Sequence, residues 1–449
     1  MTSVLSAVEG AGPAKSTKDA RRASLGSYIG ATLEWFDFAI YSTAAALIFP
    51  TVFFGDLDPA IGVTLSYVTL AGGYIARPLG AVVFGHFGDR LGRKKMLVVT
   101  MVLMGLSSIG IGLIPGSGSI GVVAPVILVF FRLLQGFAVG GEWAGASLMS
   151  IEHARKERQG FAGAIVQSGG PSGAVLATLT FSLLSMLPTE QLVAWGWRVP
   201  FLASAIVVVA AIIIRLGVKE SPEFEAVDAT RGKTRIPLFS TFGENWRSVL
   251  LIVLTALSPF FLQSVTTTFG LQLAIANGND QAGALSMLSV ANFLTIFATL
   301  FFASLSDRFG RIRMMSVGFV VSGILIWFAF ALLGFSSLWA ILAAFVILMP
   351  IGNAMITGPL AAYMAELFPV RNRFTGVGIS YQLAATISAG FAPLVATALV
   401  GAASGSTVLL TSLISALAVL GLIAVVLSRR IATAVSATDQ VQVSARHRT

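Results

Sequence analysis

Long apolar runs follow one another along almost the whole chain, and they constrain its fold more than any other feature. An α-helix needs about 20 apolar residues to cross the roughly 30 Å hydrocarbon layer of a membrane. Soluble domains contain about 25% charged residues, whereas this chain contains 11% and is 56% hydrophobic. The pattern predicts an all-α membrane protein with twelve transmembrane helices, at about 27–54, 62–85, 96–115, 122–150, 160–187, 197–217, 247–275, 282–305, 314–334, 337–362, 374–401 and 406–428.

The basic residues predict how these helices are oriented. If the amino terminus is cytoplasmic, all 29 Lys and Arg residues except Arg77, Arg132 and Arg198 fall in the tails or in cytoplasmic loops. Cytoplasmic loops of membrane proteins are enriched in Lys and Arg. We therefore expect both termini to be cytoplasmic. The net charge of +9 indicates topology and contact with lipid headgroups rather than nucleic-acid binding.

The sequence lacks features that several other classes of protein require. Residues 1–26 are polar and have no short apolar core before a cleavage site, so a secretory signal is not expected. The chain has no cysteine, which excludes disulfides and thiolate chemistry. We find no phosphate-binding loop, metal-ligand spacing or nucleophile triad, and therefore expect no enzyme, no metal and no cofactor.

An internal repeat divides the chain. The segment "GHFGDRLGRKK" (85–95) recurs as "ASLSDRFGRIR" (303–313), and "SIEHARKERQGFAG" (150–163) is paralleled by "MAELFPVRNRFTG" (364–376). Two tandem halves are typical of a large class of transporters, which bind substrate between the repeats. The predicted division is a tail at 1–26, a six-helix half at 27–218, a cytoplasmic linker at 219–246, a second half at 247–428 and a tail at 429–449.

These motifs resemble the major facilitator superfamily. The 85–95 segment is similar to its loop signature between helices 2 and 3, and "RLLQGFAVGGEWAG" (132–145) is similar to its helix-4 signature. Together with "EWFDF" and "WGWRVPF", they resemble the metabolite:proton symporter family, especially its shikimate-type group. The resemblance implies a monomeric, alternating-access symporter of the bacterial cytoplasmic membrane that imports a small organic acid with protons. Di- or tricarboxylates, aromatic acids, betaine or proline remain alternative substrates, and a channel or sensor on the same fold is an alternative class.

Five ionisable residues lie deep in the predicted helices. Each costs about 2.5–3.5 kcal/mol at a helix centre and is expected to face a partner or a wet cavity. Glu34, Asp37 and Tyr41 are spaced i, i+3, i+7, which places them on one helical face, and we expect that face to line the cavity. The five ionisable residues are Glu34, Asp37, Glu142, Arg77 and Arg132.

These residues suggest a proton-coupling mechanism. Asp37 and Glu34, with Glu142 nearby, are expected to take and release the coupled proton, because a neighbouring arginine favours the ionised carboxylate and burial favours the neutral one. Arg132 is the expected partner of Asp37 by resemblance to proton-coupled relatives. Arg77, with Glu34 or Glu142, is the alternative charge centre, and its two-pronged guanidinium can bind a substrate carboxylate. The alternative is a structural ion network that only orders helices 1, 2 and 4.

The predicted second half has no charged residue deep within its helices. Its hydroxyl and amide side chains are therefore expected to bind the hydroxyl groups of the substrate. Such groups also simply hold helices together. The candidate substrate-binding residues, besides Arg77, are Tyr41, Gln135, Gln263, Asn353 and Tyr381.

The repeated loop motifs are expected to form a cytoplasmic gate. The other interpretation is that their positive charges only determine how the helices are oriented in the membrane. Close helix packing and bending are expected at Gly136, Gly140 and Gly141 in helix 4 and at Gly169, Gly170 and Gly173 in helix 5. The candidate gating residues are Gly85, Asp89, Arg90, Arg93, Asp307 and Arg308.

Overall fold

Helices account for nearly all of the chain that the computed structural model describes, which is residues 17–91, 93–140, 143–205, 209, 237–369, 373–433 and 435. We call the helices within 17–205 the first helix set and those within 237–433 the second helix set. The first set comprises α1 (Thr17–Leu47), α2 (Phe49–Phe54), α3 (Pro59–Leu91), α4 (Arg93–Leu113), α5 (Ser117–Ile120), α6 (Val123–Val139), α7 (Trp143–His153), α8 (Gln159–Gln167), α9 (Gly169–Leu184), α10 (Thr189–Gln191) and a helical segment α11 at 198–205. The second set comprises α12 (Pro237–Val265), α13 (Leu271–Ala276), α14 (Gln281–Phe309), α15 (Arg311–Leu333), α16 (Leu338–Val346), α17 (Ala354–Glu366), α18 (Arg373–Ile387), α19 (Ala392–Ala402) and α20 (Val408–Leu427).

Eight helical stretches within the described residues are long and apolar enough to cross a membrane. They coincide with the second, fourth and seventh to twelfth predicted transmembrane helices. The third is a shorter apolar helix, Val98–Leu113, and the fifth is divided at Ser168 into α8 and α9. The sixth is described only up to residue 205 and at 209. The eight are Pro59–Phe84, Val123–Glu152, Asn245–Ala276, Gln281–Phe309, Arg311–Leu333, Leu338–Glu366, Arg373–Ala402 and Val408–Thr433.

Helical backbone precedes the seventh predicted transmembrane helix. α12 starts at Pro237, within the predicted linker 219–246, and Asn245 has non-helical angles (φ −122°, ψ 21°) inside this helix. The kink therefore marks the boundary that the charged residues predict, while helical backbone continues before it.

Glycines bring α3 and α6 into backbone contact. A Cβ added at Gly136 would lie 1.9 Å from the carbonyl oxygen of Gly73, and one at Gly140 would lie 2.1 Å from that of Arg77. Small residues allow membrane helices to approach this closely, so the expectation for Gly136 and Gly140 is confirmed. The close packing places Arg77 on α3 beside the helix that bears Arg132.

Two π-helical segments interrupt the second helix set, at Thr266–Gly270 and Ile347–Asn353. Pro350 lies inside the latter. Such wider turns occur frequently at functional sites. Thr267 in the first of them faces the cavity described below.

Candidate functional site

A cavity lies between the two helix sets. Its empty volume is about 680 Å³, which includes space that is open to solvent. The first set supplies the lining residues from α1, α3 and α9, and the second set supplies them from α12, the π-helical segment after it, and α18. The aromatic lining residues are Trp35, Phe38, Tyr74, Phe260 and Tyr381, and the polar ones are Ser42, Thr43, Arg77, Thr178, Gln263, Ser264 and Thr267.

Arg77 is the one charged side chain among the described residues that line this cavity. It is only 4% exposed, and its Cζ lies 4.2 Å from the ring centroid of Phe38 and 4.5 Å from that of Tyr74. Its Nε has no hydrogen-bond partner in the described part of the chain. The guanidinium is thus held by aromatic rings and retains donor capacity for an anion.

Asp37 does not face the cavity but lies buried within the first helix set, 1% exposed. Ser108 on α4 and Ser204 on α11 donate hydroxyl hydrogen bonds to its two oxygens. Gln135 on α6 donates from Nε2 to Oδ2 of Asp37 over 3.1 Å and to Oγ of Ser108 over 2.9 Å. Side chains from three other helices therefore satisfy this carboxyl group.

Arg132 is connected to Asp37 through Gln135 rather than by a direct ion pair. Its Nη1 donates to Oε1 of Gln135 over 2.5 Å, and its Nε and Nη2 have no hydrogen-bond partner within the described residues. Instead its Cζ lies 3.9 Å from the ring centroid of Tyr41 and 4.3 Å from that of Phe38. The direct pairing expected from resemblance is thus replaced by an amide bridge, because an intervening glutamine fills the gap that helix geometry leaves.

The expectation that Glu34, Asp37 and Tyr41 share a face lining the cavity is wrong for Asp37 and Tyr41. The α1 face that lines the cavity includes Trp35, Phe38 and Ser42. Tyr41 is fully buried and donates to Oγ1 of Thr69 over 2.7 Å. The polar face points into the first helix set because its hydrogen-bond partners lie there.

Of the two remaining candidate acids, Glu34 lies within the described residues and Glu142 does not. Glu34 is half-buried and lies within electrostatic range of the Tyr381 phenol. Glu142 falls outside the described residues, so its place in the network stays a prediction.

Two of the candidates from the second helix set line the cavity, namely Gln263 and Tyr381. Tyr381 stacks on Trp143 with ring centroids 3.6 Å apart and 19° between planes, and it meets Phe260 edge-on at 4.9 Å. Asn353 is 3% exposed and is not a lining residue. The substrate role expected for Gln135 has no support from its position, since it too lies away from the cavity, in the Asp37 network.

Asp307 connects the two helix sets. Its carboxylate accepts the backbone N–H of Gly160 over 2.8 Å and that of Phe161 over 3.0 Å, at the start of α8. It also forms an ion pair with Arg311 over 3.5 Å, and Arg311 in turn pairs with Glu366. Such a carboxylate complements the free N–H groups of a helix start. Arg308 is exposed. The surroundings of Gly85 and the side chains of Asp89, Arg90 and Arg93 fall outside what the structure describes.

Sequence reasoning missed the residues that complete these contacts. Ser108 and Ser204 are single hydroxyl residues on apolar helices, and nothing in their spacing distinguishes them from other serines. Arg311 carried a signal, since it lies in the repeated loop motif.

Comparison with known proteins assigns this helical chain to a family of membrane transporters. The chain belongs to the major facilitator superfamily, whose family model matches residues 28–278 and 251–446. It is a multi-pass transport protein of the bacterial inner membrane and not an enzyme.

Three relatives illustrate the similarity. The shikimate transporter of Escherichia coli strain K12 is 38% identical, over 85% of this chain and 88% of the relative. The inner membrane metabolite transport protein YhjE of the same strain is 37% identical, over 82% and 86%. The proline/betaine transporter of that strain is 31% identical, over 85% and 78%.

Solved structures with the same fold include the xylose transporter XylE from E. coli in a partially occluded inward-open conformation. It aligns with a TM-score of 0.70 and 17% identity, over 92% of this chain and 98% of XylE. XylE described as a proton:xylose symporter aligns with a TM-score of 0.69 and 16% identity, over 92% and 96%. At this level of identity the likeness concerns the fold.

Proposed function

We propose that this protein is a proton-coupled symporter that imports a small hydroxylated monocarboxylate of the shikimate class. The observation that carries this proposal is Arg77, a cavity-lining guanidinium whose Nε has no hydrogen-bond partner among the residues that the structure describes. A carboxylate is the natural complement of a guanidinium, which can bind both of its oxygens at once. The 38% identity to a shikimate transporter supports the same substrate class.

The other lining groups suit a hydroxylated ring. Gln263, Ser264 and Thr267 line the cavity from the second helix set, and amides and hydroxyls both donate and accept hydrogen bonds. Trp35 and Tyr381 offer aromatic faces to the apolar part of such a ring. Charge recognition by one helix set and hydroxyl recognition by the other would close the two sets around one substrate.

Asp37 is the proposed proton carrier. A carboxyl group that is 1% exposed is costly to keep charged in a membrane unless it is hydrogen-bonded or paired. Ser108, Ser204 and Gln135 stabilise the ionised form, and burial stabilises the neutral form. A change in water access during alternating access would shift the balance between these two forms.

The proposed organisation follows the repeat. Residues 27–218 and 247–428 would form two six-helix halves joined by a linker at 219–246, with tails at 1–26 and 429–449. Both termini would be cytoplasmic, where basic residues accumulate. The functional unit would be a monomer in contact with lipids, without metal or cofactor, and its coupling ion would be the proton.

Uptake into proteoliposomes tests this function. With an imposed pH gradient, inside alkaline, the purified protein is expected to accumulate labelled shikimate with saturable kinetics. Asp37→Asn is expected to abolish accumulation and retain counterflow exchange, whereas Asp280→Asn, at the start of α14, is expected to retain both. Absence of gradient-driven uptake of any organic acid would refute the proposal.

A zwitterion is the second candidate substrate. Aromatic rings bind quaternary ammonium groups through cation–π contacts, and five aromatic residues line the cavity. The proline/betaine transporters at 31% identity favour the same alternative. Competition of shikimate uptake by betaine, proline, citrate and 2-oxoglutarate separates these substrates.

A further inference from the structure

One aromatic ring contacts both buried arginines of the first helix set. The Cζ atoms of Arg77 and Arg132 lie 4.2 Å and 4.3 Å from the Phe38 ring centroid. Tyr74 contacts Arg77 on one side of this arrangement, and Tyr41 contacts Arg132 on the other. We call this series of contacts the aromatic–guanidinium stack, comprising Tyr74, Arg77, Phe38, Arg132 and Tyr41.

The stack extends from the cavity to the buried acid. Arg77 and Phe38 line the cavity, whereas Arg132 binds Gln135, which binds Asp37. Among the described residues, Phe38 is the side chain whose ring contacts a guanidinium at each of these two places. Its ring therefore connects the arginine of the proposed substrate site with the arginine next to the proposed proton site.

Two like charges that share one ring must influence each other. Arg77 and Arg132 repel one another, and the surrounding aromatic rings provide little screening of this repulsion. Each guanidinium is attracted to the negative face of the rings it contacts. The ring of Phe38 thus contacts two cations that are both buried, 4% and 0% exposed.

The charge on Asp37 changes the electrostatic repulsion within the stack. When Asp37 is ionised, its negative charge partly offsets that of Arg132; when it is protonated, the stack has one more uncompensated positive charge. An anion at Arg77 is then attracted more strongly. By thermodynamic reciprocity, a bound anion favours protonation of Asp37 to the same extent.

We propose that Phe38 is a positioning residue that couples proton binding at Asp37 to carboxylate binding at Arg77. This inference rests on the proposed function, since it requires both an anionic substrate and a coupled proton. Phe38 itself neither binds the proton nor donates to the substrate. It keeps the two guanidinium groups in contact with one apolar ring and excludes water between them.

The charged and titratable groups around this path come from several helices. Arg132 on α6 acts electrostatically on Asp37 and contacts Tyr41 on α1, while α4 and α11 present the hydroxyls of Ser108 and Ser204 to Asp37. On the cavity side, the other titratable side chains among the described residues are Arg77 and Tyr74 on α3, Tyr381 on α18 and Glu34 on α1.

The pH dependence of binding tests the coupling. The probe is shikimate, measured by equilibrium binding to purified full-length protein in mildly acidic and mildly alkaline buffer, both above the pKa of an ordinary carboxylic acid. The wild type is expected to bind more tightly in acid by roughly 5-fold or more, the lower end of typical coupling between sites. Phe38→Leu is expected to reduce this ratio to below about 2-fold.

Matched variants distinguish coupling from packing. Phe38→Tyr retains the ring and is expected to keep the wild-type pH ratio. Phe260→Leu removes an equal ring from the same cavity without touching either arginine; it is expected to change the Kd and leave the ratio intact. If Phe38→Leu does not fold, as judged by size-exclusion chromatography, Phe38→Met serves as the ring-free variant.

The outcomes separate the two proposals. Wild-type protein that neither binds an organic acid nor accumulates one under a pH gradient overturns the proposed function. Wild-type protein that does both, together with a folded Phe38→Leu variant that retains the full pH ratio, overturns the role of Phe38 alone. Loss of the ratio in Phe260→Leu to the same degree overturns it as well.

Discussion

Gln135 donates from Nε2 to Oδ2 of Asp37 over 3.1 Å and thereby connects the buried acid to Arg132, whose Nη1 is 2.5 Å from Oε1 of the same amide. An amide can do this because it has both donors and an acceptor. The acid and the arginine therefore communicate without forming a direct ion pair.

Replacing Gln135 by Leu tests this bridge. The change leaves Nη1 of Arg132 without its acceptor and removes one donor from Asp37, so we expect a loss of about 1–3 kcal/mol in unfolding free energy. Gradient-driven accumulation should fall sharply while exchange persists. Gln382→Leu removes another buried amide, bonded to the Gly140 carbonyl over 3.0 Å, and should keep accumulation. Unchanged accumulation in Gln135→Leu would show that the bridge has no part in coupling.

Arg77→Lys tests the carboxylate site. Lysine keeps the positive charge but lacks the planar fork that binds two carboxylate oxygens, and it loses stacking on Phe38 and Tyr74. We expect the KM for shikimate to rise about tenfold or more, equivalent to roughly 1.4 kcal/mol. Arg198→Lys is the control, because Arg198 donates to the carbonyl oxygens of Ala194 and Ile114 instead. An unchanged KM in Arg77→Lys would place the carboxylate elsewhere.

Asp307→Ala tests the contact between the helix sets. Loss of the hydrogen bonds to Gly160 and Phe161 should favour opening of the cavity to the cytoplasm. Because the chain has no cysteine, Ala385→Cys in the cavity wall provides a single thiol for labelling by an impermeant maleimide in inside-out vesicles.

We expect faster labelling when Asp307→Ala is combined with this cysteine. Arg308→Ala, which changes the exposed neighbouring residue, should leave the labelling rate unchanged. Equal rates in the two variants would argue against a gating role for Asp307.

Adjacent and facing glycines allow a test of packing between α3 and α6. A Cβ at Gly136 would lie 1.9 Å from the Gly73 carbonyl oxygen, whereas one at Gly72 would meet only Leu133, at 3.8 Å. Gly136→Ala should therefore destabilise the protein by about 1–3 kcal/mol, and Gly72→Ala should be nearly neutral. Thermal unfolding in detergent measures both, and similar melting temperatures would contradict the close backbone contact.

The class of protein could be predicted from the sequence because it depends on local properties. Runs of about 20 apolar residues have few alternatives to a membrane helix, and the loop motif around Asp89 and its repeat around Asp307 indicated the family. The ionisable residues Asp37, Arg77 and Arg132 stood out because charges are costly inside a membrane.

The partners of these residues were less predictable. Ser108 and Ser204 lie 71 and 167 positions from Asp37 in the chain, and a hydroxyl on an apolar helix looks the same whether it meets an acid or a carbonyl. Spacing on one helix reveals which residues share a face but contains no information on what that face meets.

The sequence by itself determined that α1 places an acid and aromatic residues at membrane depth, since helical periodicity follows from local backbone geometry. Only the tertiary structure decided that Phe38 faces the cavity and Asp37 faces inward. Successive residues on a helix differ by about 100° in direction, so Phe38 and Asp37 point to different sides of α1. The orientation of α1 about its axis depends on the hydrogen-bond donors that distant helices bring to Asp37. Those donors meet the acid only once the helices have packed.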